Sequence, residues 1–286
     1  MRRASQGVHA GRHRPRATTV WLYLRREWLP HRTGLRETLS SLRLEIMRVF
    51  YRLQGKVLVH FLHVGKTGGS AVKHTLKHYH PRGRVAVFLH GHKVTLRDIP
   101  EGEGVIFFLR DPISRFISSF YSRQREGRPR YIMPWTVEER EAFEYFRTPG
   151  QLAEGISSAN LEERDRAHKA MRSIQHVRSS YWDWFEGEDY FRSRLPDIFF
   201  IGFQERLTED FLILRSKLEL PDHAELPDDE IISHRSPPGL DKTLRDQAIE
   251  NLKKWYEKDF EFVRLCEEVL QQRSALRTEQ PVTLPL

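Results

Sequence analysis

Lys66, Thr67, Gly68, Gly69 and Ser70 are the residues of this chain best suited to hold an anion. They follow a β-type run, Val57 to Leu62, and precede a helix-period segment with Val72, Leu76 and Tyr79 apolar. A strand, a glycine turn and a helix N-terminus together aim free backbone N–H groups and the positive end of a helix dipole at one spot. Two glycines let the backbone close round an anion without a Cβ in the way, and Lys66 adds a full charge. The chemistry implied is phosphate or sulfate binding. Read alone, the same residues also describe a lysine in a surface turn after a core strand.

A second group lies about 45 residues on, in RDPISRFISSFY at 110–121. Arg110 leaves the C-terminal edge of an apolar strand, where open α/β sheets bind ligands. Arg115, Ser118 and Ser122 are spaced to share one face of the helix that follows. A guanidinium with a hydroxyl suits a terminal phosphate; the plainer reading is a capped helix with solvated arginines. Between the two groups stands His90-Gly91-His92. Imidazole titrates near neutral pH and so suits a general base, although His-Gly-His also makes an ordinary turn at a strand end.

Three β-rich runs after Val57–Leu62 could position these groups: 84–92, 105–111 and 197–203. They alternate with helix-period segments, which predicts a parallel sheet. Asp111 and Pro112 form a helix start, with Asp at the cap and Pro at the first turn. Residues 123–196 are polar, aromatic-rich and helical in pattern, an insertion that would line a cleft. Asp241 to about Arg273 reads as one long helix. The fold class expected is α/β, a P-loop-like central parallel sheet flanked by helices with a largely helical insertion.

The expected organisation is a disordered basic tail at 1–18, a helical extension at 19–56, the α/β domain at 57–273 and a flexible tail at 274–286. Within the extension, helices are expected at 19–31 and 34–53, the second packing through Leu35, Leu39, Leu42, Ile46, Val49 and Leu53. A basic amphipathic pair of this kind could instead rest peripherally on an anionic membrane. The net charge is +8, yet residues 1–56 carry 13 Lys+Arg against 3 Asp+Glu, so the remainder is slightly acidic. Basicity therefore belongs to the extension, and no nucleic-acid partner is expected for the domain. The single cysteine, Cys266, excludes an internal disulfide framework and reads as a core thiol. No run approaches the roughly 20 apolar residues of a spanning helix, and the N-terminal arginines precede no signal-like apolar stretch. A cytoplasmic location is expected.

G-x-x-x-x-G-K-[ST], the nucleotide-triphosphate loop, fails here because position 60 is His60. Small residues after the lysine, in the order K-T-G-G-S, resemble the loop of sulfotransferases that use 3′-phosphoadenosine-5′-phosphosulfate (PAPS). With R-D-P-x-x-R-x-x-S downstream, the chain resembles the PAPS-dependent carbohydrate sulfotransferases over about residues 57–270, apart from 123–196. The L-H-G-H segment at 89–92 is similar to Y-H-G-H of the heparan sulfate and uronyl 2-O-sulfotransferases. That resemblance implies that Lys66, Thr67, Gly68, Gly69 and Ser70 hold the 5′-phosphosulfate of PAPS and that Arg110 and Ser118 hold its 3′-phosphate. It implies His92 as base, with His90 supporting or sharing the role, and Lys66 as a catalytic cation. Related enzymes place a basic loop where S-H-R-S-P-P-G stands, so Arg235 and Ser236 become cofactor candidates; a solvated proline loop is the other reading.

The expected reaction is in-line sulfuryl transfer from PAPS to a hydroxyl of a saccharide or glycolipid, with no metal required. Arg123, Arg125, Arg128 and Arg130 could meet an anionic glycan, or form a solvated face. A zinc site among His60, His63, His90 and His92 lacks a Cys or acidic partner at ligand spacing. The rival readings are a P-loop-class kinase or NTPase and a non-catalytic basic binding protein.

Overall fold

A computed structural model describes residues 35–79, 83–229, 237 and 239–279, without the side chains of 35–43 and 277–279. Four parallel strands form its sheet: β1 (Val57–Phe61), β2 (Val85–Leu89), β3 (Gly104–Leu109) and β4 (Ile198–Phe203), in the order β2-β1-β3-β4. All four expected strands are present, each shorter than its apolar run. β1 lies between β2 and β3, so the chain turns one way after β1 and the other way from β3 onward. The crevice beyond the strand ends at that reversal is where such sheets bind ligands.

Period-two alternation divides the sheet's side chains. Ile106 and Phe108 face one way, with Val72 and Leu76 of α2 (Gly69–His78) and Phe211 and Leu214 of α9 (Leu207–Lys217). Val105, Phe107 and Leu109 face the other way, against Phe262, Cys266 and Val269 of α11 (Glu257–Glu279). The buried Cys266 is thus part of the core. On that same side α1 (Leu35–Leu53) covers Leu58, Ala86 and Phe88.

α1 is rotated from expectation. Ile46, Val49 and Leu53 are 58%, 54% and 84% exposed, whereas Leu44, Met47 and Tyr51 pack on the sheet. The cause is polar: Arg48, on the packing face, donates to the buried Glu103 carboxylate (Nη2–Oε1 2.6 Å), as does Arg52 (2.7 Å). Breaking such a buried pair costs about 3–5 kcal/mol, so it fixes which of the helix's two apolar stripes faces in. The expected elements at 1–18 and 19–31 lie outside the described residues.

α3 (Pro112–Gln124) starts as expected, with Ser114 N donating to Asp111 Oδ1 at 2.7 Å. The insertion is largely helical: α4 (Val137–Tyr145), α5 (Pro149–Gly155), α6 (Leu161–Ser173), α7 (Trp182–Phe185) and α8 (Glu188–Ser193). Phe143, Leu152 and Met171 from its helices build a core with Phe116 and Phe120 of α3. The predicted single helix from Asp241 is two: α10 (Asp246–Trp255) joins the insertion core through Ala248 and Leu252, and α11 joins the sheet. Tyr256 breaks them (φ −105°, ψ 24°), which lets the two segments serve two cores. α11 then runs to Glu279, past the expected start of a flexible tail at 274; Arg273 anchors it by donating to the carbonyls of Ile198 and Leu195 (2.7 and 2.6 Å). Among the described residues no helix is long and apolar enough to cross a membrane.

Candidate active site

Lys66 and Arg110 leave the C-terminal ends of neighbouring strands β1 and β3, and both line one cleft of about 870 Å³. Ligand pockets commonly span about 300–1,000 Å³. Gly68, Gly69 and Ser70 line it where α2 begins, and Ser118 of α3 lines it from the Arg110 side. The two expected anion-binding groups are therefore brought together. Gly68 has φ +81°, a left-handed conformation that favours glycine. Gly69 is needed for another reason: a Cβ there would lie 2.7 Å from the His63 ring. Thr67 departs from expectation, because it is buried and its hydroxyl donates to Val64 O at 3.0 Å. It braces the turn, leaving its side chain no part in the cleft lining.

Lys66 sits at φ +68°, strained for a side-chain-bearing residue. Loss of solvent and the charges of Arg125, Arg110 and Arg130 pull its pKa down to about 7. Arg110 has a buried Nε–H with no hydrogen-bond partner, and Arg125 has a buried Nη1 in the same condition. Burying charged donors unpaired is costly; an oxyanion in the cleft would relieve both the lysine's repulsion and the arginine's orphaned donor. Arg110 is held by its backbone: Tyr181 Oη accepts from Arg110 N (3.0 Å) and donates to Arg110 O (2.5 Å). Arg115 is fully buried and turns beneath the site, donating to Gly65 O at 3.1 Å and pairing with Asp259 at 3.2 Å. It supports the loop from behind.

The two histidines of His-Gly-His part company. His92 lines the cleft, packed against His63 with ring centroids 3.9 Å apart and planes tilted by 34°. Its Nδ1 lies 3.1 Å from His63 O, and a carbonyl can only accept, so the neutral ring carries its proton on Nδ1 and a lone pair on Nε2. His90 is 4% exposed and does not line the cleft. It continues the β2 alternation on the α1 side, with Nε2 2.8 Å from His60 Nδ1; His60 Nε2 lies 2.5 Å from Glu103. His90 contributes through its carbonyl, which accepts from Lys73 Nζ at 2.7 Å.

Of the basic run, Arg123 is sequestered in a buried pair with Glu139 (2.5 Å), Arg128 pairs with Glu126 (3.2 Å) and Arg130 lines the cleft. Arg235 and Ser236 lie outside the described residues. Among the described residues no group of three or more His, Cys, Asp or Glu is arranged to hold a metal ion. His176 lines the cleft without having been singled out in the sequence, and His63, considered there only as a zinc ligand, lines it too. His63 lies two residues past Phe61, so it continues that residue's face of β1, opposite to His60.

Comparison with known families adds nothing to this geometry. No family model matches the chain, and no curated protein does.

The buried histidines make an acid-stability prediction. Burial lowers the pKa of His60, lowers that of His63 strongly and brings that of His90 to about 3. All three rings then bind fewer protons folded than unfolded as pH falls through about 6.5. Stability must therefore fall as pH drops through 6.5, at up to about 1.4 kcal/mol per pH unit for each ring. Burial pushes Glu103 up, but hydrogen bonds from His60 and Arg48 outweigh that and hold it at about 2. Its contribution is present above about pH 4.5 and is lost from there down towards 2. Urea midpoints at pH 7.5 and 5.5, at constant m, should differ accordingly; equal midpoints would refute the assignment.

Proposed function

We propose that this chain is a PAPS-dependent O-sulfotransferase acting on a hydroxyl, of a saccharide or glycolipid by the motif resemblance. One observation carries the reading: the K-T-G-G-S turn and Arg110, far apart in sequence, meet in a single cleft with an imidazole, His92, beside them. The donor set fits the nucleotide. Gly68, Gly69 and Ser70 at the N-terminus of α2, with Lys66, suit the 5′-phosphosulfate. Arg110, with its unpartnered Nε–H, and Ser118 suit the 3′-phosphate.

PAPS, when bound, supplies a sulfuryl group on an anionic leaving oxygen. His92 Nε2 takes the acceptor's hydroxyl proton as that oxygen bonds to sulfur. Lys66 meets the electron pair that departs on the 5′-phosphate oxygen. Alignment and charge stabilisation do the work, as in phosphoryl transfer.

Thermal shift separates this reading from a kinase or NTPase. A nucleotide at 100 times its Kd stabilises by about 2.7 kcal/mol, which for a domain of this size raises Tm by several degrees, at roughly 2–4 °C per kcal/mol. 3′,5′-ADP, the desulfated product, should give that shift and Mg-ATP should not. The opposite ranking would sink the proposal.

A further inference from the structure

His176 stands in the insertion, the part of the chain that resembles nothing named above. We propose that it is a second catalytic imidazole, a neutral ring that holds the acceptor hydroxyl while His92 Nε2 takes its proton. This rests on the sulfotransferase reading and adds a residue to it.

Four observations converge on the ring. His176 lines the same cleft as Lys66 and His92. It packs edge-on to His92, with ring centroids 6.0 Å apart and planes at 62°. Its Nδ1 would be 3.3 Å from a Cβ on Gly65, so the residue before Lys66 is one that leaves room for this ring. Its backbone has φ +66°, a left-handed conformation that costs a histidine about 1–3 kcal/mol and persists only where the surroundings impose it.

Those surroundings are rigid. Ile174 and Val177 on either side are fully buried. Gln175 N donates to Glu139 Oε1 at 3.0 Å, and Tyr256 Oη donates to Val177 O at 2.7 Å. Such mounting is what precise presentation of a side chain requires. The buried His60, by contrast, has both ring nitrogens occupied, by His90 and Glu103. Among the described residues the His176 ring makes no hydrogen bond. Burial, then the Lys66 and His92 charges, lower its pKa well below the ordinary value, so it keeps one N–H and one lone pair at neutral pH.

In the step proposed, the acceptor oxygen forms its bond to sulfur while the bond from sulfur to the 5′-phosphate oxygen breaks. The leaving electron pair goes to that oxygen and the acceptor's proton goes to His92 Nε2. His176 exchanges no proton; it fixes the direction of the acceptor's lone pair. Acting on the acceptor alone, it should matter to turnover and not to nucleotide binding.

The test uses the full chain with His176→Ala and His176→Gln, taking water or methyl glucoside as acceptor. It measures release of 3′,5′-ADP from PAPS and, separately, the Kd of 3′,5′-ADP by calorimetry. His176→Ala should slow release about 10²-fold, leave the Kd within about threefold, and be partly rescued in His176→Gln, which keeps a donor and an acceptor. Release at the wild-type rate in His176→Ala overturns the proposal while leaving the transferase reading intact. Equal losses of rate and affinity in both variants also overturn it, since they mark a structural role. If the wild type neither binds 3′,5′-ADP nor releases it, the parent reading fails and this one with it.

Discussion

Lys66→Ala is expected to lower kcat/KM for sulfuryl transfer by about 10³-fold, at the upper end of what removal of one transition-state donor costs. The magnitude follows from a full charge placed where water is scarce. Its pKa of about 7 adds a pH signature. Only the ammonium form can stabilise a departing oxyanion, so kcat/KM should fall tenfold per unit above about pH 7. An ordinary lysine would hold the rate level until about pH 10. Arg125 is the largest charge acting on Lys66. Arg125→Gln should therefore raise the lysine's pKa and move the alkaline limb upward. A bound dianion would do the same, so the limb should appear in kcat/KM and weaken in kcat. A pH-independent kcat/KM between 6 and 9 would remove Lys66 from its role.

The elements that build the anion site were legible because each obeys a local rule. Gly68 is a glycine because φ is +81°, and Asp111 caps α3 through Ser114 N. The sheet was legible because β3 is apolar without interruption and buried on both faces. What was not legible depends on distant partners. α1 carries two apolar stripes, and only Glu103, 55 residues from Arg48, decides which one packs. One practical consequence is that a truncation meant to remove the basic extension must stop before Leu35, or it removes the helix that pairs with Glu103.

Long-range contacts hid the rest of the site too. Arg115 reads as a phosphate ligand from its spacing, yet its partners are Gly65 O, Ser179 O and Asp259. Thr67 reads as a loop ligand, yet it closes the turn on Val64 O. His176 follows no motif: it faces the cleft because Glu139 of α4 and Tyr256, at the end of α10, pin its neighbours. Tyr256 breaks the C-terminal helix because two cores, one in the insertion and one under the sheet, compete for a continuous apolar pattern.

His92→Ala is expected to cut kcat by about 10²–10⁴-fold, the usual worth of a positioned base, while the Kd of 3′,5′-ADP stays nearly unchanged. Its orientation supports this, since Nδ1–H donates to His63 O and the neutral ring's lone pair is then on Nε2. His90→Ala should behave differently although it lies two residues away. That substitution orphans His60 Nδ1 inside the core, and an unsatisfied buried group costs about 1–3 kcal/mol. Tm should drop, yet the folded fraction should turn over at nearly the wild-type rate, because the His90 ring never reaches the cleft. The two histidines thus carry opposite signatures, one in turnover and one in stability. If folded His90→Ala lost turnover while His92→Ala kept it, the proton acceptor would have to be sought on the α1 side of β2. The cleft lining, the Nδ1 tautomer and the role given to His176 would then all have to be abandoned together.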